Sequence, residues 1–116
     1  MPTLSSPLAQ TFTVEGDPEF EVTGRYLTSV DVYFAAKDDN LPITLEIRTV
    51  LNGYPGNKVL PFSRVIKNSA DINVSDTAAT ATTFTFPSLV FVEVETEYAV
   101  VLKCSTPEYN VWVTRI

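Results

Sequence analysis

"YLTSVDVYFAAKDDNLPITLEIRTV", residues 26–50, alternates apolar and polar side chains twice, with a cluster of turn formers between the two runs. Val30, Val32 and Phe34 fall on one side of an extended chain, and Ser29, Asp31 and Tyr33 on the other. Ile43, Leu45 and Ile47 repeat the pattern against Thr44, Glu46 and Arg48, which are expected to face outward. A period of two marks a half-buried strand, because successive Cβ atoms point to opposite faces of a pleated chain. Asp38, Asp39 and Asn40 are turn residues, and Pro42, lacking an N–H for the ladder, can only begin a strand. The stretch therefore predicts two strands joined by a hairpin-like connection over 37–41.

Working outward, "LAQTFTV" (8–14), "KVLPFSRVI" (58–66), "TTFTF" (82–86), "LVFVEVE" (89–95), "EYAVVLKC" (97–104) and "YNVWVT" (109–114) bring the strand candidates to about eight. Pro61 demotes its segment to an edge strand or breaks it in two. No segment sustains a helical period, so nothing supports the crossovers that parallel strands need. The expected fold is all-β: an antiparallel two-sheet β-sandwich, with a jelly roll fitting the strand count best. "KNSADINVSDTAATA", 67–81, is about as long as structureless connections become in a compact domain. Ile72 and Val74 alternate within it, so it either holds a short extra strand or crosses between the sheets.

A chain of 116 residues matches one domain, here 8–116, large enough to bury a core without disulfides or metals. Residues 1–7 include Pro2, Ser5, Ser6 and Pro7 but lack the basic and apolar regions of a signal peptide, and read as an arm or an excision scar. No apolar run reaches the roughly 18 residues needed to span a bilayer, so a soluble chain without membrane insertion is expected. Net charge is −6 and the eight Lys plus Arg are scattered, which argues against nucleic acid as a partner. Histidine is absent, removing the usual general base, the Ser-His and Cys-His pairs and the commonest zinc ligand. Cys104, the single cysteine, cannot form an internal disulfide and ends an apolar run as a small buried hydrophobe would.

Few constellations suggest chemistry. The adjacent carboxylates Asp38 and Asp39 read as a solvated tip in preference to an acid–base pair. Glu93, Glu95 and Glu97 would share one outward face if the strand continues past Glu95. Asp71, Asn73, Ser75 and Asp76 are hard oxygen donors, but the central glycine and closing glutamate of a calcium loop are missing. Asx and Ser turns that satisfy the loop backbone are the preferred explanation, so no metal is expected, with Asp71, Asn73 and Asp76 as the weak calcium candidates.

The aromatic residues carry more. Val111 and Val113 should face the core, leaving Trp112 with Asn110 and Thr114 on the opposite face, although a slip of one residue would bury Trp112 instead. Trp112, Tyr109, Tyr33 and Tyr54 are the candidates for binding a ligand or partner, since aromatics flanked by polar groups suit a subunit contact or, less favoured, sugar stacking, with simple packing as the alternative to both. In "NGYPG", Asn52-Gly53 supplies positive-φ positions and Pro55-Gly56 suits the centre of a type II turn. Turn geometry accounts for every residue there except Tyr54.

The stretches "PLAQTFTV", "YLTSVDVYFAAKDDNLPITLEIRTVLNGYPGNKVLPFS", "NVSDTAATATTFTF" and "EYAVVLKCSTPEYNVWVTR" together resemble the jelly-roll modules of structural proteins in tailed-bacteriophage virions. They resemble more distantly the choice-of-anchor and carbohydrate-binding sandwich modules. The resemblance runs from about Pro7 to Arg115, and its most specific elements are Leu8-Ala9-Gln10-Thr11-Phe12, Leu27-Thr28-Ser29-Val30, Asn52-Gly53-Tyr54-Pro55 and Glu97-Tyr98-Ala99-Val100-Val101-Leu102. It implies a non-enzymatic module of a tail, baseplate or fibre protein, contacting other virion proteins or copies of itself, and located in the virion. The alternative it implies is a carbohydrate-binding module for a cell-surface glycan, located on a bacterial cell surface. It transfers no catalytic residue and no cofactor.

Overall fold

The computed structural model describes residues 4–5, 8–16, 23–106 and 108–116, with 4–5 as backbone alone. The strands are β1 (Leu4–Ser5), β2 (Leu8–Thr13), β3 (Gly24–Ala36), β4 (Ile43–Leu51), β5 (Tyr54–Val59), β6 (Val65–Lys67), β7 (Thr82–Glu93), β8 (Glu97–Lys103) and β9 (Asn110–Arg115). One 3-10 turn spans Ser69–Asp71, and the described residues contain no α-helix. Two antiparallel sheets result. The first runs β1-β9-β3-β7, and the second runs β2-β8-β4-β5 with β6 continuing the β5 edge along β4. The chain is an all-β antiparallel sandwich.

Its core is built from the alternations read in the sequence. Val30, Val32 and Phe34 from β3, with Phe84, Val90 and Val92 from β7, meet Ile43, Leu45 and Ile47 from β4 and Val100 and Leu102 from β8, all buried. Burying each such side chain contributes roughly 1.5–3 kcal/mol. Between the sheets Gln10 Oε1 accepts from the amide (3.1 Å) and hydroxyl (2.9 Å) of Thr114, so even the polar inward atoms are matched.

Several expectations are corrected. β3 and β4 lie in different sheets, so 37–42 is a crossing and not a hairpin. Asp38 Oδ1 accepts the amides of Asn40 and Leu41, both at 2.8 Å, and Lys37 Nζ donates to the carbonyls of Ser69 and Ile72; these bonds fix the corner. The two segments "TTFTF" and "LVFVEVE" are one strand, β7, which absorbs Pro87 in a bulge: Leu27 faces Val90 while Ser29 faces Thr85. That strand stops at Glu93. Glu95 sits in a turn at φ +59°, so the three glutamates do not share one strand face. Pro55 and Gly56 lie in β5, and the hairpin turn is Asn52-Gly53 alone, with φ of 54° and 82°.

Other expectations hold. Pro61 does break its segment in two, leaving β5 and β6 on either side of the turn at 61–62. The long segment 67–81 crosses from the second sheet to the first. It contributes the 3-10 turn, a buried Ile72 and a single parallel bridge from Val74 to Phe34. Of residues 1–7, Leu4 and Ser5 pair with Val111 and Asn110; the rest lie outside the described residues.

Candidate functional site

The aromatic candidates separate sharply. Tyr109 is fully buried, its ring edge-on to Phe34 at 6.0 Å and its hydroxyl donating to the Leu41 carbonyl. Burial pushes its phenol above the ordinary value, and the Asp38 charge adds to this. It is a core residue and is not presented to a partner. Trp112 is half-buried, its indole Nε1 donating to the Ser75 carbonyl at 2.7 Å, so the ring clamps the long 67–81 crossing. Tyr33 is also half-buried, with the Arg115 guanidinium 5.7 Å from its ring centre.

The pattern around Trp112 departs from simple alternation. Tyr33 pairs with Val113 and Phe34 with Val111, so β9 bulges at Trp112. Beyond the bulge the faces exchange: Thr114 is buried and Val113 is only half-buried, the reverse of the expectation. Tyr54 alone among the four candidates stands out in solvent, 75% exposed at the tip of the β4–β5 hairpin.

The calcium candidates are not gathered. Asp71 ends the 3-10 turn, Asn73 gives its side-chain amide to the Ala81 carbonyl, and Asp76 lies in a turn. Among the described residues no three His, Cys, Asp or Glu side chains converge on a metal-sized space. Asp38 and Asp39 likewise form no pair. The amides of Leu41 and Asn40 hold the Asp38 carboxyl below its ordinary value and the Thr106 hydroxyl engages it from the other side, while Asp39 is exposed.

What the structure does bring together lies at the pole where β3 and β8 begin and β4 and β7 end. A groove of about 640 Å³ opens there, lined by Tyr26, Leu60, Phe62, Leu89, Phe91 and Tyr98, with Thr49, Lys58, Glu93 and Thr96 supplying polar atoms. Tyr26 is 62% exposed, Phe62 58% and Phe91 46%. Tyr26 and Phe91 face each other across β3 and β7 with ring centres 5.4 Å apart, edge to face. Gly24 permits this arrangement, because a Cβ there would lie 2.3 Å from the Phe91 ring.

The opposite wall is the turn after β5. Phe62 has φ +66°, a left-handed conformation that a bulky side chain rarely adopts. Buried neighbours hold it there. Ser63 Oγ accepts the Ile47 amide at 3.1 Å and donates to the Leu60 carbonyl at 2.8 Å, so Leu60 and Ser63, which flank the Pro61-Phe62 turn, are fixed to the core. Tyr98 closes the groove floor, its hydroxyl accepting the Glu93 amide at 2.9 Å. Tyr26, Phe62 and Phe91 all fall within strand candidates of the sequence, and nothing local marks them as neighbours: the groove arises only from the pairing of β3 with β7 and the turn after β5.

A second concentration lies on the outer face of the five-stranded sheet. Glu46, expected to face solvent, is 0% exposed. Arg48 donates from Nε (2.7 Å) and Nη2 to Oε1, Arg64 donates from Nε to Oε2 (3.0 Å), and Lys103 Nζ stands 3.5 Å from Oε1. Burial raises the Glu46 pKa, but the hydrogen bonds from Arg48 and Arg64 and the charges of Arg48 and Lys103 outweigh it, leaving the carboxyl below its ordinary value. Compared with protein families, curated proteins and solved structures, the chain matches none.

Proposed function

We propose that this chain is a non-enzymatic jelly-roll module of a tailed-phage virion, in a tail, baseplate or fibre component, and that the apolar groove is its contact with a neighbouring subunit. The jelly-roll reading draws on the strand order: β1-β9-β3-β7 against β2-β8-β4-β5 interleaves early and late strands in both sheets, as a folded double Greek key does. The virion placement draws on the resemblance carried by the β2, β3–β5 and β8–β9 sequences.

The observation that carries the contact is the gathering of Tyr26, Phe62, Leu89 and Phe91, all large, apolar and exposed, around one groove. Scattered apolar residues on a surface need no explanation, but a contiguous group rimmed by polar atoms marks an interaction site. Leu51 and Tyr54, both exposed at the tip of the adjoining hairpin, extend the apolar character of this pole. The test is sedimentation velocity over rising concentration, together with antibody labelling of purified phage particles. Concentration-dependent association that Phe91→Asp abolishes, and labelled particles, are expected. A strict monomer that labels no particle overturns the reading.

A glycan is the second reading, favoured by the rings of Tyr26 and Phe91 beside Thr49, Lys58, Glu93 and Thr96 in a groove of ligand size. Binding on a glycan array that Tyr26→Ala removes would select it over the subunit contact.

A further inference from the structure

Building on the reading of the groove pole as a subunit contact, we infer how two copies of the chain meet: β7 of one pairs antiparallel with β7 of the second, joining their four-stranded sheets across a twofold axis at Val90. β7 ends its sheet, and among the described residues only β3 pairs with it. A long edge strand is a template for another chain unless something blunts it. Two features blunt β7, and they leave a window between them. Pro87 has no N–H to give, and the Glu93 amide is already taken by the Tyr98 hydroxyl at 2.9 Å. Residues 88–92 stay open.

Which backbone groups point out of that window follows from strand alternation. The Val94 amide donates to the Thr23 carbonyl at 3.1 Å, so Val94, Val92 and Val90 turn their N–H and C=O toward β3. Glu93, Phe91 and Leu89 turn theirs away, and the Glu93 bond to Tyr98 agrees with that parity. Leu89 and Phe91 therefore each present a donor and an acceptor at the free edge, with their side chains exposed beside them.

These groups choose the register. With Phe91 opposite the second copy's Leu89, and Leu89 opposite the second copy's Phe91, every one of them is paired. A shift of two residues in either direction sets Phe91 against Pro87 or Leu89 against Glu93, neither of which can donate, and leaves a carbonyl unmatched. The same register lays Phe91 and Leu89 side by side on one face, twice, as cross-strand apolar pairs. The two Glu93 carboxylates then stand six residues apart along the strands, roughly 20 Å at a strand's rise and well beyond the screening length of about 8 Å at physiological salt.

The area suits a dimer. A twofold contact is isologous, so each exposed group is used twice. Tyr26, Phe62, Leu89 and Phe91 expose on the order of 400 Å² of side chain per copy, taking 150–250 Å² for a whole aromatic. Doubled, that is about half of the roughly 1,600 Å² buried in a standard interface, with the joined strand backbones adding to it.

The experiment is amide hydrogen exchange by NMR on the whole chain, at one concentration below and one above the onset of association in sedimentation. The Leu89 and Phe91 amides should exchange freely in the monomer and slow by more than about tenfold in the dimer. A mixture of labelled and unlabelled chain should show an Hα–Hα contact between the two copies of Val90, the unbonded pair at the axis. Leu89→Pro removes an N–H that bonds to nothing within one copy and should abolish association, while Leu89→Met keeps it; urea unfolding of both variants checks that the monomer is intact. Should Leu89→Pro fail to fold, exchange in the parent decides alone. Association in which both amides still exchange freely, or a folded Leu89→Pro that associates like the parent, overturns the strand pairing and leaves the groove side chains as the contact. A strict monomer at every concentration overturns the pairing together with the reading beneath it.

Discussion

Glu46 shows how far a single residue can depart from its place in a pattern. Alternation puts it on the outer face of β4, and it is there, yet three basic side chains cover it completely. Removing one partner of a buried ion pair costs roughly 3–5 kcal/mol; because the cations here reach solvent, Glu46→Ala should cost less, on the order of 2 kcal/mol, with an unchanged slope in urea unfolding. The pH dependence follows from the sign of the shift. A carboxyl held below its ordinary value of 4.5 contributes stability that is fully present above that pH and is lost as pH falls through the folded-state value. The melting temperature should therefore drop below pH 4.5, and the drop should be shallower in Glu46→Gln. Thermal scans of both proteins between neutral and acid pH check this; parallel curves would remove Glu46 from the acid limb.

At the scale of elements, the turn over 60–63 joins fold and function. Phe62 occupies a conformation that costs a side-chain-bearing residue about 1–2 kcal/mol, and its exposed ring recovers little of that by burial. Phe62→Gly should therefore leave stability within about 1 kcal/mol of the parent while weakening association through the groove. Ser63→Ala should do the opposite kind of damage, costing roughly 1–3 kcal/mol by leaving the buried Ile47 amide unpaired. Urea titration and sedimentation of the two variants separate the effects. The strands that form the core were legible in the sequence because Val30, Val32, Phe34, Ile43, Leu45 and Ile47 obey a local period. The bulges at Trp112 and Pro87 were not, since each depends on which residue of a distant strand lies opposite. The same reason hid the site. Arg64 and Lys103 reach Glu46 from 18 and 57 residues away, and Tyr26 meets Phe91 only once β3 has paired with β7.

Across the whole molecule, net charge and the apolar groove act on association in opposite directions, and this fixes how association should respond to salt. The chain carries −6, so two copies repel at long range, while the groove pole offers Tyr26, Phe62, Leu89 and Phe91. An apolar contact between like-charged molecules strengthens when salt screens their repulsion, because burial itself is not weakened by ions. Raising ionic strength from low to physiological should therefore increase self-association in sedimentation, and Phe91→Asp should remove both the association and its salt response. A contact made instead by the Arg48, Arg64 and Lys103 cluster against the acidic remainder of a second copy would show the reverse sign, dissociating as salt rises. The direction of the salt dependence thus decides which face of the sandwich meets a neighbour: the groove if association rises with salt, the cationic sheet face if it falls.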